Sequence, residues 1–300
     1  MIRFDDATLV LAGRPVLEGV SLDVPAGRAV AVIGRTGAGK TSLVAAAAAA
    51  VPLVGGDVTV LGHSVRRAVA AVRRLVGYVP ARPPAWPPCR AGEFLELAAA
   101  ATGLRGKPRR TAVAKALDLA GLADRATDPI ESLPDGAARR LLLGRALLHD
   151  PQVLLLDDPF SGLDPIEREG VEAVVGDAQL MGRTVLAALD DATVPPCFTD
   201  LAVLQAGRIA AAGGCSIDAF PSAAGRRFRY RCACPGRAEE AAAVLRPLVG
   251  DVRVADADHV EAACEPARVS PARLVAALVA AEIPVSAAGF HPAWTAQLLG

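Results

Sequence analysis

Hydrophobic positions follow two patterns along the chain. From residue 1 to about 215, compact apolar runs (RAVAVIG, LVGYVP, VLLLDD, TVLAAL, LAVLQAG) alternate with longer stretches of helical character. That alternation predicts an α/β domain with a largely parallel sheet. The Gly- and Ser-containing stretch AAGGCSIDAFPSAAG predicts a boundary, with residues 216–226 as a linker. From 227 to 300 the pattern becomes that of a small α+β domain. FRYRCAC, DVRVAD and HVEAACE read as strands, AEEAAAVLRPL and PARLVAALVAAE as helices, and VSAAGF adds a strand to a βαββαβ-like order. Ser270 caps the second of these helices and Pro271 occupies its first position.

The most apolar stretch, TSLVAAAAAAVPLVGG, is short, Ala-rich and broken by Pro52, and MIRFDD lacks the basic-then-apolar plan of a secretion signal. The expectation is a soluble chain that meets a membrane only through a partner. Composition narrows the choices further. At 52% hydrophobic and 21% charged, the composition is enough for one large core or two domains and argues against disorder. Lys+Arg and Asp+Glu are both 32, so no global field recruits nucleic acid or anionic lipid. Six cysteines in 300 residues do not suggest a disulfide scaffold, and Cys232 and Cys234 read as small reduced hydrophobes.

Candidate chemistry starts at RAVAVIGRTGAGKTS. Gly34, Gly39, Lys40 and Thr41 fit G-x-x-x-x-G-K-[ST] between an apolar strand and a helix-forming run. In such a loop, spanning Gly34, Arg35, Thr36, Gly37, Ala38, Gly39, Lys40, Thr41 and Ser42, successive N–H groups turn inward on phosphate oxygens. The helix N-terminus behind them favours negative charge. Lys40 can reach the outer phosphates, and the Thr41 hydroxyl can bind Mg²⁺. Asp157, at the end of Val153-Leu154-Leu155-Leu156, supplies a second metal ligand. It is expected on a buried parallel strand next to the strand that leads into the loop.

The run between these motifs, ESLPDGAARRLLLGRALLHDPQVLLLDDPFSGLDP, resembles the region of ATP-binding cassette (ABC) ATPases that holds the LSGGQ signature, its helix, the Walker B strand and the D-loop. GRPVLEGVSLDVPAGRAVAVIG, LVGYVP and GRTVLAALDDA resemble the family's flanking elements in order, so the likeness covers roughly residues 1 to 213. It implies a P-loop NTPase domain with a mixed sheet and a helical subdomain, binding ATP and Mg²⁺. It also implies a homo- or heterodimer with another cassette, in which Leu133, Gly136 and Asp164 of the signature and D-loop complete a site. A transmembrane permease subunit, a separate chain, would hold the protein on the inner face of the cell membrane. The tail is similar to the C-terminal domain of ABC ATPases that drive ABC-2-like exporters.

Five positions depart from the family pattern, and most touch the outer phosphate. Asp158 stands where the family has the water-polarising Glu, which retracts the carboxylate by roughly 1.5 Å. Ala81 replaces the Q-loop Gln, and Arg82 cannot substitute as an acceptor. Asp190 stands at the switch His, where a like charge at ~5 Å and effective dielectric ~20 costs about 3 kcal/mol. Pro134 removes the signature Ser, and Leu11 lies near the position of the residue that stacks on adenine. His63, His149, His259 and His291 sit in no motif that could replace the switch. Two readings stay open: an ATPase subunit in which Lys40, Asp158 and Asp190 carry slow hydrolysis, and a cassette that binds ATP and clamps a more active partner.

Overall fold

The computed structural model describes residues 1–81, 88–189, 194–195, 197–214, 228–264, 274, 277–278, 281–285 and 287–290. Asp190, Arg82, Ser270, Pro271, His291 and the linker 216–226 lie outside the described residues.

The chain opens with an antiparallel layer. Strands β1 (Ile2–Leu11) and β2 (Arg14–Val24) form a hairpin, and β4 (Gly55–Val60) and β5 (His63–Ser64) extend it in the order β2-β1-β4-β5. Alternation along β1 puts Ile2, Phe4, Ala7 and Leu9 inward, as one apolar face requires. Behind this layer stands a six-stranded sheet in the order β10-β9-β3-β8-β7-β6. Its members are β3 (Ala29–Ile33), β6 (Val76–Val79), β7 (Val153–Asp157), β8 (Thr184–Ala188), β9 (Asp200–Gln205) and β10 (Arg208–Gly214). Every pairing among β9, β3, β8, β7 and β6 is parallel. Strands β3, β7 and β8 are buried along their whole length, so they read as continuous apolar runs.

One expectation fails here. β7 does not lie beside β3; β8 separates them, pairing with β3 on one side and β7 on the other. A right-handed crossover can skip a position and let a later strand fill it. Sequence order therefore does not fix adjacency.

Helices α1 (Lys40–Ala47), α2 (Val69–Leu75) and α6 (Pro165–Leu180) connect the strands. α3 (Ala91–Ala101), α4 (Gly106–Ala120) and α5 (Asp135–Leu147) form a helical layer with its own apolar cluster around Leu95, Leu122, Ile130 and Leu141.

The C-terminal part is a four-stranded antiparallel sheet of β11 (Phe228–Ala233), β12 (Val252–Val254), β13 (His259–Cys264) and β14 (Ala287–Phe290) in the order β12-β13-β11-β14. Helix α7 (Ala238–Val249) connects β11 to β12, and Leu274, Ala277 and Leu278 are helical. Cys232, Val260, Ala262 and Leu245 form its buried side, in one continuous apolar cluster with Leu154, Leu156 and Val175. On the opposite side, register places Arg231, Glu261 and Arg253 in a row across three strands. The buried Glu261 carboxylate meets Arg253 at 2.8 Å and Arg231 at 3.8 Å.

Candidate functional site

Gly39 sits at φ 104° and caps α1 from the left-handed region, where a side chain is strained. A Cβ on Gly39 would also stand 2.7 Å from the Val16 carbonyl, and one on Gly34 would meet the Leu204 carbonyl at 2.3 Å. Both glycines are therefore required by neighbouring backbone as well as by the loop's own turn. Arg35, Thr36 and Gly37 are exposed at the loop's crest, while Ala38, Lys40 and Ser42 are buried beneath it. Lys40 Nζ donates to the Gly34 carbonyl at 2.8 Å and to that of Arg35 at 3.3 Å, which holds the ammonium under the loop.

Parallel strands deliver the carboxylates to the same edge. Thr41 Oγ1 donates to Asp157 Oδ1 at 3.1 Å, and the Ala81 N–H donates to Asp157 Oδ2 at 3.4 Å. Two hard oxygens 3.1 Å apart fit Mg²⁺, whose adjacent octahedral ligands at about 2.1 Å lie about 3 Å from each other. Near this charge the Tyr78 phenol is pushed up to about 12, first by burial and then by Asp157, with Arg145 opposing. Tyr78 thus stays neutral.

Asp158 follows at φ 49°, a left-handed backbone that Asp tolerates better than most residues. Its N–H donates to the Ala188 carbonyl at 2.9 Å. Its own carbonyl accepts from Arg139 Nη1, and Arg139 Nη2 donates to the Ala81 carbonyl at 3.2 Å. Asp158 is thus brought to the edge of the sheet beside the Asp157 carboxylate.

The signature region and the D-loop meet within one chain. Pro134 precedes α5 as its cap and Asp135 opens the helix. A Cβ on Gly136 would stand 2.3 Å from Glu167 Oε2, so only glycine leaves that carboxylate in place. Glu167 Oε2 accepts from the Asp164 N–H at 3.1 Å, while Asp164 Oδ1 accepts from the Glu167 N–H at 2.8 Å, a capping box at the start of α6. Arg140 pairs with Glu167 at 3.0 Å. Leu133, expected at the nucleotide, is instead buried in the apolar cluster of the helical layer.

Leu11 ends β1 and is 41% exposed. His149 lies at the N-terminal end of β7, with Nε2 at 3.1 Å from the Val76 carbonyl, and His259 pairs with Asp256 at 2.7 Å. Neither is near Asp157. The sequence reading missed Arg139, Arg140 and Glu167. Two adjacent arginines, followed by three leucines, in α5 were the available signal.

The family profile described as ABC transporter matches residues 17–161. The linearmycin resistance ATP-binding protein LnrL of Bacillus subtilis (strain 168) is 28% identical over 186 residues, covering 62% of this chain and 60% of that protein. The hemin import ATP-binding protein HmuV of Streptomyces coelicolor is 36% identical over 209 residues, covering 68% of this chain and 74% of the relative. Among solved structures, a dimeric bacterial ABC transporter cassette superposes with a TM-score of 0.66 at 22% identity, over 71% of this chain and 98% of the other. With these matches and the loop, strand and signature geometry together, the chain belongs to the ABC family as an ATP-binding subunit.

Proposed function

We propose that this chain binds MgATP through Lys40, Thr41 and Asp157, hydrolyses it slowly with Asp158 orienting water, and transmits dimer closure to a separate permease subunit. One observation carries the reading: Thr41 Oγ1 and Asp157 Oδ1 stand 3.1 Å apart at the mouth of the glycine loop, with Asp158 the next residue. Bound Mg²⁺ would neutralise charge on the outer phosphate oxygens. The loop's backbone and Lys40 would hold the phosphates while Asp158 orients the attacking water.

Slow turnover is inferred from the retracted Asp158 carboxylate and from Ala81, which touches Asp157 by its backbone alone. Because Pro134 would weaken a partner's site, an asymmetric pair of cassettes would retain more activity than a homodimer. A groove of about 420 Å³ lined by Arg73, Tyr78, Ala98, Ala101, Arg145 and His149 suits a permease segment, between the sheet and the helical layer. Among the described residues no helix is long and apolar enough to cross a membrane, which fits recruitment by such a partner on the inner membrane face. Export is proposed from the likeness of the C-terminal part to that of exporter ATPases, whereas HmuV is named for import. The division into a cassette ending at 215 and a domain from 227 belongs to the same proposal.

Calorimetry tests it. MgATP should bind the native chain, and Lys40→Ala should weaken that binding at least tenfold, a loss of about 1.4 kcal/mol or more. Equal binding by the two proteins would refute the site.

A further inference from the structure

We propose that Arg139 is a positioning residue for turnover, fixing the direction of Asp158 from the helical layer. The proposal rests on the reading of Asp158 as the water-orienting carboxylate. Four residues close a circuit. The Ala81 N–H binds Asp157 Oδ2, the Ala81 carbonyl accepts from Arg139, Arg139 also donates to the Asp158 carbonyl, and Asp158 follows Asp157 in the chain. Arg139 therefore ties together backbone groups 58 and 19 residues away from it in sequence.

A guanidinium suits this task because its planar fork presents several donors in fixed directions, so one side chain can hold two carbonyls at once. Asp158 needs such support. At φ 49°, its backbone is held at the N–H by Ala188 and at the carbonyl by Arg139. Rotating either flanking peptide would swing the carboxylate. Ala81 offers no side-chain oxygen, so its backbone and Arg139 form the link between the end of β6 and the helical layer. Movement of α5 against the sheet would thus be felt at Asp158 without a direct contact to Lys40 or the glycine loop.

The test measures MgATP affinity, steady-state turnover and thermal midpoint for the full native chain, Arg139→Met and Arg139→Lys. Arg139→Met should lower kcat about tenfold to a hundredfold, as displacement of a reacting group by about 1 Å does, with KM and nucleotide affinity within about twofold. Arg139→Lys, able to reach one carbonyl, should recover part of the rate. An unchanged kcat overturns the assignment, as does a parallel fall in affinity and rate in both variants, which would mark a purely structural staple. Absence of turnover in the native chain would overturn the reading of Asp158 and this assignment with it, whereas native turnover indifferent to Arg139 removes this assignment alone.

Discussion

At Asp158 a side chain one methylene shorter than glutamate coincides with a left-handed backbone, φ 49°. Short polar side chains tolerate that region because they can bond locally, which a longer acid does less well. Asp158→Glu alone therefore combines added reach with added strain. Combined with Asp190→His, which restores the histidine that the family resemblance implies at the switch position, it should raise kcat at least tenfold, about 1.4 kcal/mol of barrier. Phosphate-release assays with MgATP affinity measured in parallel would check this, and an unchanged kcat would show that the carboxylate's length is not limiting. The spacing of Gly34, Lys40, Thr41 and Asp157 was readable from sequence because neighbouring residues in one loop or strand set it. The φ of Asp158 was not, since Ala188 and Arg139 impose it from other elements.

Elements carry three further expectations. The β1–β2 hairpin pairs Leu11 with Arg14, leaving Ala12 and Gly13 at φ 48° and 76°, the positive pair that a type I′ turn uses. Ala12→Asn should stabilise the chain by about 1 kcal/mol, read from the urea midpoint. At the start of α6, Gly136→Ala would push Glu167 off Arg140 and the Asp164 N–H, and loss of that cap should cost about 1 kcal/mol. The same urea titration checks it, and Glu167→Ala should give a loss of similar size. At the N-terminal end of β7, burial holds the His149 imidazole below its ordinary 6.5, with Arg145 adding to the effect and the Val76 carbonyl and Asp150 opposing it. Below pH 6.5 the unfolded imidazole takes up a proton that the folded one resists. Stability should therefore fall with pH there, by at most about 1.4 kcal/mol per unit from this group. Comparing urea midpoints at pH 7.5 and 5.5 for the native chain and His149→Gln isolates that share, which the variant should lack. Strand existence was legible because β3, β7 and β8 are unbroken apolar runs. Their order was not, since β8 enters between β3 and β7 after both have been made.

On the scale of the whole molecule, three layers meet at the edge where β3 and β7 end. The antiparallel layer presses the Val16 carbonyl on Gly39, the sheet brings Asp157 to Thr41, and the helical layer reaches Asp158 through Arg139. Apolar patterning exposed the layers, whereas the contacts between them arise from residues far apart in sequence. Leu133 shows the limit: its motif position suggested a ligand contact, and its packing makes it part of the helical layer's interior.

The apolar cluster that joins Leu154 and Val175 to Cys232 and Leu245 has a thermal consequence. Side chains that lose their neighbours together melt together, so differential scanning calorimetry should record a single endotherm, with equal calorimetric and van't Hoff enthalpies. Two resolved peaks would mean that one part unfolds while the other is still folded.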